Sequence, residues 1–297
     1  MTLYSEHLAA YRDAVEAALP RFLPPEEPAY GVLGRAMAYA CEDGGKRLRP
    51  VLLLEWAHLC GGAAGQALPF ACALEMVHSY SLVHDDMPCM DNSPLRRGKP
   101  SVHKAFGEDM ALLAGDALLN RAFEVCLAPE NRGTLPAGAV LDAAAILADC
   151  AGLHGMIGGQ AMDLQSEGKT ISLAELERLQ RGKTAALLRA ACRMGAVLGG
   201  GDAGQLQAAE AYGTAVGLGF QIVDDILDVT ATEQELGKPV GGDRELEKST
   251  YVSLLGLAQA RELAAQRTEE ALSALQPLGA AAEELRQLTV RLLKRQQ

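Results

Sequence analysis

Aromatic side chains are scarce in this sequence of 297 residues. Phe, Trp and Tyr make up only 4% of the chain, although hydrophobic residues make up 49%. β-Sandwiches are typically rich in aromatic and β-branched residues, whereas Ala and Leu favour helices. Runs that alternate apolar and polar residues, as strands do, are also absent. The composition therefore predicts an all-α protein.

The chain also lacks an excess of positive charge and any closely paired cysteines. Its net charge is −11, so we expect no nucleic-acid partner, which would need a basic surface. The seven cysteines are scattered without a C-x-x-C pair, which disfavours a zinc site or a disulfide framework and favours a reducing cytoplasm. Runs of about 18 uncharged apolar residues are missing, and acids occur within the first twenty positions. We expect neither a membrane span nor a signal peptide.

Apolar residues recur at spacings of three and four along most of the chain, as in the series from Tyr212 to Leu227. Breaks rich in Gly, Pro, Asn or Asp divide the sequence into roughly ten such segments. No linker rich in Ser, Gly or Pro separates halves of different composition. We therefore expect one helical domain over residues 1–297.

Two aspartate clusters interrupt these apolar helices. Asp85, Asp86 and Asp91 follow the apolar run 71–84, and Pro88 should end that helix and turn the chain so that Asp91 returns beside Asp85. Carboxylates that share such a position favour a hard cation such as Mg²⁺.

The second cluster comprises Asp224, Asp225 and Asp228. Asp224 and Asp228 are four residues apart, so they lie on one face of a helix and repel each other unless a cation neutralises them. A solvated helix end would explain either cluster alone equally well. The presence of both, far apart in an apolar sequence, favours paired metal sites.

Two basic segments accompany the acids. Gly44 and Gly45 precede three cations, Lys46, Arg47 and Arg49, and the segment 95–100 adds Arg96, Arg97 and Lys99 directly after the first acidic cluster. A single guanidinium group can donate two parallel hydrogen bonds to phosphate oxygens. Each segment alone would suit a solvated loop, and neither contains the Walker A pattern of nucleotide-binding loops. Together with the acids, they predict a site for a diphosphate held partly by Mg²⁺.

Further motifs are spread over nearly the whole chain. The set comprises GGKRLRP at 44–50, HSYSLVHDDMPCMD at 78–91, LRRGKPSVH at 95–103, LAGDALL at 113–119, GGQAMDL at 158–164, KTAALLRA at 183–190, FQIVDDILD at 220–228 and LGKP at 236–239. Together these motifs resemble the trans-isoprenyl diphosphate synthase family, in particular its bacterial-type farnesyl diphosphate synthases. After Asp91, however, the chain continues with Asn92, Ser93 and Pro94, where that group commonly has acids.

The resemblance implies an antiparallel helical bundle with a central cavity between the two aspartate-bearing helices, usually assembled as a homodimer. It also implies a Mg²⁺-dependent transferase that joins isopentenyl diphosphate to an allylic diphosphate. In this pattern Asp85 and Asp91 hold two Mg²⁺ ions and Asp224 holds a third. The remaining acids of the two clusters, Asp86, Asp225 and Asp228, would complete the coordination, partly through water.

The same resemblance implies roles for the cations and for several polar residues. The allylic diphosphate would face Arg96, Lys183, Gln221, Lys238 and Lys248, the last closing over it. Isopentenyl diphosphate would be held by Gly45, Lys46, Arg49, His78 and Arg97. Oxygen atoms of Lys183 (its backbone carbonyl), Thr184 and Gln221 would lie near the allylic carbocation, and the segment 229–250 would form a lid.

Product length should depend on the residues beneath the first aspartate cluster. Tyr80 lies five positions before Asp85, about 7.5 Å along a helix, and with Ser81 occupies that depth. We therefore expect the fifteen-carbon farnesyl product. The alternatives are a geranylgeranyl (C20) or geranyl (C10) diphosphate synthase, Tyr80 as an ordinary core residue, a class I terpene cyclase, or a non-catalytic partner subunit of a prenyl synthase.

Overall fold

The computed structural model describes residues 2–24, 29–42, 44–230 and 248–293, and nearly all regular structure in these ranges is helical. In chain order the α-helices are α1 (Glu6–Phe22), α2 (Gly31–Cys41), α3 (Leu48–Leu59), α4 (Ala64–Asp85), α5 (Val102–Phe106), α6 (Glu108–Cys126), α7 (Pro129–Thr134), α8 (Ala137–Ala151), α9 (Met156–Ser166), α10 (Leu173–Gln180), α11 (Ala186–Leu198), α12 (Ala203–Thr230), α13 (Tyr251–Leu255), α14 (Leu257–Ala274) and α15 (Glu283–Leu293). A π-helical segment, Arg181–Ala185, precedes α11, and a 3₁₀ segment, Gln276–Ala282, precedes α15.

Within the described ranges, a β-hairpin with two-residue strands is the exception to the helical structure. β1 (Leu95–Arg96) pairs antiparallel with β2 (Lys99–Pro100). Arg97 and Gly98 make the turn with φ of 52° and 81°. The hairpin is too short to show strand alternation in the sequence. The prediction of an all-α fold is confirmed.

Helices α3, α4, α11 and α12 form the centre of the molecule, with α6, α8 and α14 packed around them. Small residues allow the central helices to approach closely. A Cβ on Gly195 of α11, for example, would lie 2.3 Å from the carbonyl oxygen of Leu53 on α3. The abundant Ala and Gly thus replace bulky aromatic residues as the means of filling the core.

One continuous cluster of buried side chains runs from Tyr4 to Leu293. Its largest members include Trp56 and Tyr212, whose ring centroids are 5.8 Å apart. This continuity favours a single domain. The single domain over residues 1–297 and the central cavity between the aspartate-bearing helices both stay predictions.

One apolar stretch, residues 137–166, has the length and hydropathy of a membrane span. Half of its most apolar window is buried inside the protein. The stretch comprises two helices, α8 with 15 residues and α9 with 11, separated by a break at Gly152 and Gly155. A spanning helix needs about 20 residues, so neither helix alone reaches that length. The expected lack of a membrane span stays a prediction.

Candidate active site

The first aspartate cluster lies where α4 ends. Asp85 is the last residue of this helix, and a tight turn follows in which the backbone N–H of Met87 donates to His84 O at 3.1 Å. The chain then reverses, and the N–H of Asp91 donates to the carbonyl oxygen of Asp85 at 2.9 Å. The turn predicted from Pro88 is therefore present, and it brings Asp91 back to Asp85.

The electrostatic environment of Asp85 disfavours its negative charge. The pKa of Asp85 is raised to about 6, first by burial and also by the charges of Asp91 and Asp86, which together outweigh the opposing effect of Lys183 and Arg96. A carboxylate with so elevated a pKa is stabilised by additional positive charge close by. The cluster thus has the electrostatic character of a cation site.

Asp86 forms an ion pair with Arg96 of the hairpin. Its carboxylate is 2% exposed and accepts hydrogen bonds from Arg96, with Nε–Oδ2 at 3.0 Å and a second, shorter contact from Nη2. Burial still leaves the pKa of Asp86 raised, although the Arg96 guanidinium lowers it. This bidentate contact fixes Arg96 next to the first aspartate cluster.

The second aspartate cluster lies near the end of α12. Asp225 is buried, and its two oxygens accept from Gln221 Nε2 and from the backbone N–H of Tyr251, each at 2.8 Å. Asp228 is also buried, whereas Asp224 is half-buried. Asp225 therefore anchors the start of α13 to α12 and orients Gln221.

A further acid, Asp163 on α9, forms ion pairs with two lysines. Its Oδ2 lies 2.5 Å from Lys183 Nζ and 3.2 Å from Lys248 Nζ, and the Lys248 ammonium also lies 3.4 Å from Asp91 Oδ1. Burial alone would raise the pKa of Asp163, but the two ammonium groups outweigh it and hold the pKa below its usual range. Asp163 lies in the GGQAMDL motif but was not predicted as a site residue, although an Asp inside an apolar helix was the available signal.

The π-helical segment that holds Lys183 contacts both α9 and α12. Thr184, in the same π-helical segment, donates its hydroxyl to Gln180 Oε1 at 2.9 Å or to Gln221 Oε1 on α12 at 3.1 Å. A π-helical insertion disturbs the regular ladder of backbone hydrogen bonds and frequently marks a functional site. Polar contacts therefore link Asp91 to Lys183 and, from the adjacent Thr184, continue through Gln221 to Asp225.

The two basic segments meet each other beside these helices. Arg97 donates from Nη1 to Gly44 O at 2.7 Å and packs over Gly45. Lys46 Nζ lies 5.9 Å from the ring centroid of Phe220, one turn before Asp224 on α12. Both segments thus contact the region of the aspartate clusters.

His78 lies among these cations. Burial, followed by the charges of Arg49 and Arg97, holds the pKa of His78 well below its usual range, so the imidazole is neutral near pH 7. Burial and the nearby Arg97 also lower the pKa of Arg49, against the effect of Glu75. Arg49 Nε has no hydrogen-bond partner within the part of the chain that the structure describes. His78 and these arginines combine concentrated positive charge with donor capacity, as an anionic ligand would require.

Arg47 has a different role from the one the sequence suggested. The basic segment was expected to offer three cations to a phosphate, but the Arg47 side chain is 1% exposed and directed into the core. It donates to Glu16 Oε1 and Glu75 Oε1, both at 2.7 Å, and to Cys41 O at 2.6 Å. Arg47 fixes the loop on α1 and α4, and Lys46 and Arg49 remain as the cations nearest the site.

The proposed length determinants lie deeper on α4. Tyr80 is 5% exposed, and within the described residues its hydroxyl has no hydrogen-bond partner. Burial, with a contribution from Asp85, raises the pKa of Tyr80 to about 12. Ser81 donates to the carbonyl oxygen of His78 at 2.8 Å, which fixes its hydroxyl within the helix.

A family model named polyprenyl synthetase matches residues 31–288. The chain belongs to the polyprenyl synthetase family. The resemblance inferred from the motifs is thereby confirmed, and the fold is that of the isoprenyl synthases.

Relatives within the polyprenyl synthetases include both farnesyl and geranylgeranyl enzymes. The farnesyl diphosphate synthase of Geobacillus stearothermophilus is 47% identical over 90% of this chain and 89% of its own. A chloroplastic geranylgeranyl pyrophosphate synthase of Capsicum annuum is 45% identical over 89% of this chain and 70% of its own. Among solved structures, an FPP/GFPP synthase from Zymomonas mobilis has a TM-score of 0.85 with 37% identity, covering 97% of both chains.

Enzymes of the polyprenyl synthetase family use Mg²⁺. Among the described residues, no three His, Cys, Asp or Glu side chains approach closely enough to hold an ion as they stand. The donors nevertheless fit Mg²⁺, because carboxylate oxygens are its preferred ligands and the pKa of Asp85 is raised to about 6 by burial first and then by neighbouring acids. Lys238 and residues 231–247 of the predicted lid lie outside the described residues, so their roles stay predictions.

Proposed function

We propose that this protein is a prenyl transferase that condenses isopentenyl diphosphate with dimethylallyl or geranyl diphosphate and stops at farnesyl diphosphate (C15). The observation that carries the proposal is that polar contacts link the turn after α4 to α12: they run from Asp91 through Lys248 and Asp163 to Lys183, and from the adjacent Thr184 through Gln221 to Asp225. The two basic segments, which contact each other through Arg97 and Gly44, lie beside these residues. Such an arrangement suits a diphosphate bound between acids that carry metal and cations that contact phosphate.

Asp85, Asp91 and Asp224 would hold three Mg²⁺ ions, with Asp86, Asp225 and Asp228 as further ligands or orienting groups. Bound Mg²⁺ would neutralise the diphosphate leaving group. Asp86 and Asp225 already accept hydrogen bonds from Arg96, Gln221 and the Tyr251 backbone, which favours an orienting role for these two acids.

The allylic diphosphate would be bound by Arg96, Lys183 and Lys248, together with Lys238. The ammonium groups of Lys183 and Lys248 already share the Asp163 carboxylate, so both are held toward the same region before substrate arrives. Preorganised positive charge is effective because it needs no rearrangement when the leaving group departs. Asp163 is therefore a positioning residue in this proposal.

The allylic carbon would become positively charged when the carbon–oxygen bond breaks. Thr184 and Gln221 lie in contact at 3.1 Å, and their oxygens, with the Lys183 carbonyl, would place partial negative charge beside that carbon. Isopentenyl diphosphate, held by Gly45, Lys46, Arg49, His78 and Arg97, would supply the attacking double bond. The product cation would then lose a proton to the departing diphosphate, which restores a double bond. A neutral His78 suits a hydrogen-bonding role.

Tyr80 would block growth beyond C15, because its buried ring lies beneath Asp85 on α4. Similarity to the pepper geranylgeranyl enzyme and to the Zymomonas FPP/GFPP synthase makes a C20 product the second candidate. A C10 product and a non-catalytic subunit are the remaining alternatives.

The assembly would be a cytoplasmic homodimer. Large apolar side chains are exposed on neighbouring helices, namely Leu112 and Leu113 on α6, Leu141 on α8, Leu153 in the following turn, and Ile157 on α9. Contiguous exposed apolar surface commonly marks an interface between subunits. The seven cysteines are all free thiols, five of them buried, which suits a reducing compartment. Light scattering on the purified protein should give twice the chain mass.

Incubation of the purified protein with labelled isopentenyl diphosphate and each allylic starter, with Mg²⁺ or with a chelator, tests the function. We expect C15 product with Mg²⁺ and none with the chelator. A C20 product would favour the second candidate, and no product from the chain alone would favour the partner-subunit alternative.

A further inference from the structure

A histidine lies between the proposed length determinant and the helix beside it. His84 follows Tyr80 by one turn of α4, and the two rings meet edge to face, with centroids 5.7 Å apart and planes at 79°. On its other side, His84 Nε2 lies 3.1 Å from the carbonyl oxygen of Leu112 on α6. Because a carbonyl oxygen only accepts, Nε2 carries the proton and donates it. The imidazole is thus held between Tyr80 and α6.

The absence of a side chain at Gly115 makes room for this imidazole. A Cβ at position 115 would lie 2.0 Å from His84 Nε2 and 2.4 Å from Cδ2, well inside any allowed contact. Any other residue at 115 would force the His84 ring to move or α6 to retreat from α4. The position of His84 therefore depends on glycine at 115.

The direction of the Tyr80 ring depends on packing within the buried core. Its hydroxyl is buried without a partner in the described part of the chain, so hydrogen bonding does not hold it. Edge-to-face contact between rings favours a particular relative orientation in addition to the area it buries. Without the His84 ring, Tyr80 could turn into the space vacated between α4 and α6.

We propose that His84 and Gly115 determine product length as positioning residues: His84, seated in the space left by Gly115, holds the Tyr80 ring across the path of the growing prenyl chain. This inference rests on the proposed prenyl transferase function and deepens it. Tyr80 alone would then be an incomplete length determinant, and changes at either supporting residue should lengthen the product while Tyr80 is still present.

The test measures the ratio of C20 to C15 product from geranyl diphosphate, isopentenyl diphosphate and Mg²⁺. Gly115→Ala and His84→Ala should each raise this ratio by about tenfold, the scale on which small changes of pocket fit alter competing rates. Gly138→Ala on α8 is the matched control, because a Cβ there would meet nothing within 4 Å, and its ratio should equal that of the wild type.

The double variant separates a specific contact from a general loosening of α6. Once His84 is replaced by alanine, no ring remains for a methyl group at position 115 to displace, so Gly115→Ala should add no further change to the ratio. An equal effect of Gly115→Ala in both backgrounds would overturn the inference, as would wild-type ratios in both single variants.

His84→Gln covers the case in which the alanine variants do not fold. It keeps a side-chain donor toward Leu112 but lacks the ring, so it should shift the ratio as His84→Ala would, and a wild-type ratio would overturn the inference. Failure of the wild-type protein to form any prenyl product would instead refute the proposed function, which keeps the two failures distinguishable.

Discussion

Replacing Arg47 with methionine should destabilise the protein strongly, because this guanidinium neutralises a buried acid. Arg47 and Glu75 are 1% and 3% exposed, and their Nη1–Oε1 distance is 2.7 Å. Removing one partner of a buried ion pair costs about 3–5 kcal/mol, since the remaining charge stays buried without compensation. The contact with Glu16, which is 39% exposed, adds about 1 kcal/mol at most.

Urea unfolding followed by helical circular dichroism gives the measurement. A loss of about 4 kcal/mol should lower the midpoint by about 1 M or more. Glu16→Gln serves as the control and should move the midpoint far less. Adding Glu75→Gln to Arg47→Met should restore part of the lost stability, because it removes the uncompensated charge.

The affinity of the same variants for isopentenyl diphosphate, compared with their urea midpoints, distinguishes a structural role for Arg47 from a substrate-binding one. Arg47 contacts Glu16, Glu75 and Cys41 inside the protein, so its loss should act on folding before it acts on substrate affinity. If Arg47→Met unfolds at the wild-type urea concentration but binds isopentenyl diphosphate poorly, the assignment is refuted and Arg47 belongs with the phosphate-binding cations.

Three further predictions follow from the site. Asp85→Ala or Asp224→Ala should lower turnover about a thousandfold or more with an unchanged circular dichroism spectrum, because each removes a carboxylate that would hold the Mg²⁺ stabilising the leaving group; near-normal turnover would exclude a metal role. Tyr80→Ala should yield products of twenty carbons or more in the length analysis, and an unchanged C15 product would make Tyr80 an ordinary core residue. Burial would raise the pKa of Asp163, but the ammonium groups of Lys183 and Lys248, both paired with this carboxylate, hold the pKa below its usual range. Ionised Asp163 therefore stabilises the fold above about pH 4, its unfolded value, and this contribution disappears as pH falls through the folded pKa. Asp163→Asn should flatten the acid side of a Tm–pH curve, and a curve parallel to the wild type would contradict the assignment.

The helical class and the two aspartate clusters could be predicted from local sequence. Apolar spacing of three and four marks helices, and the proline at 88 predicts the turn that returns Asp91 to Asp85. These features depend on residues close together in the chain, so periodicity and turn chemistry are sufficient to find them.

The partners of individual charges could not be predicted in this way. Arg47 and Arg49 stand two positions apart in one basic segment, yet one faces buried acids and the other the site. Asp163 appears as one acid on an apolar helix, and only the fold brings Lys183 and Lys248 to it. Such roles depend on contacts between distant segments, which no local pattern encodes.

Binding of a non-reactive thio analogue of geranyl diphosphate, measured by titration calorimetry, tests the central claim most directly. If the two aspartate-bearing helices hold one diphosphate between them through Mg²⁺, wild-type binding should require Mg²⁺, and Asp85→Asn and Asp224→Asn should each weaken it by about a hundredfold. Equal affinity without Mg²⁺, or wild-type affinity in either variant, would contradict the claim.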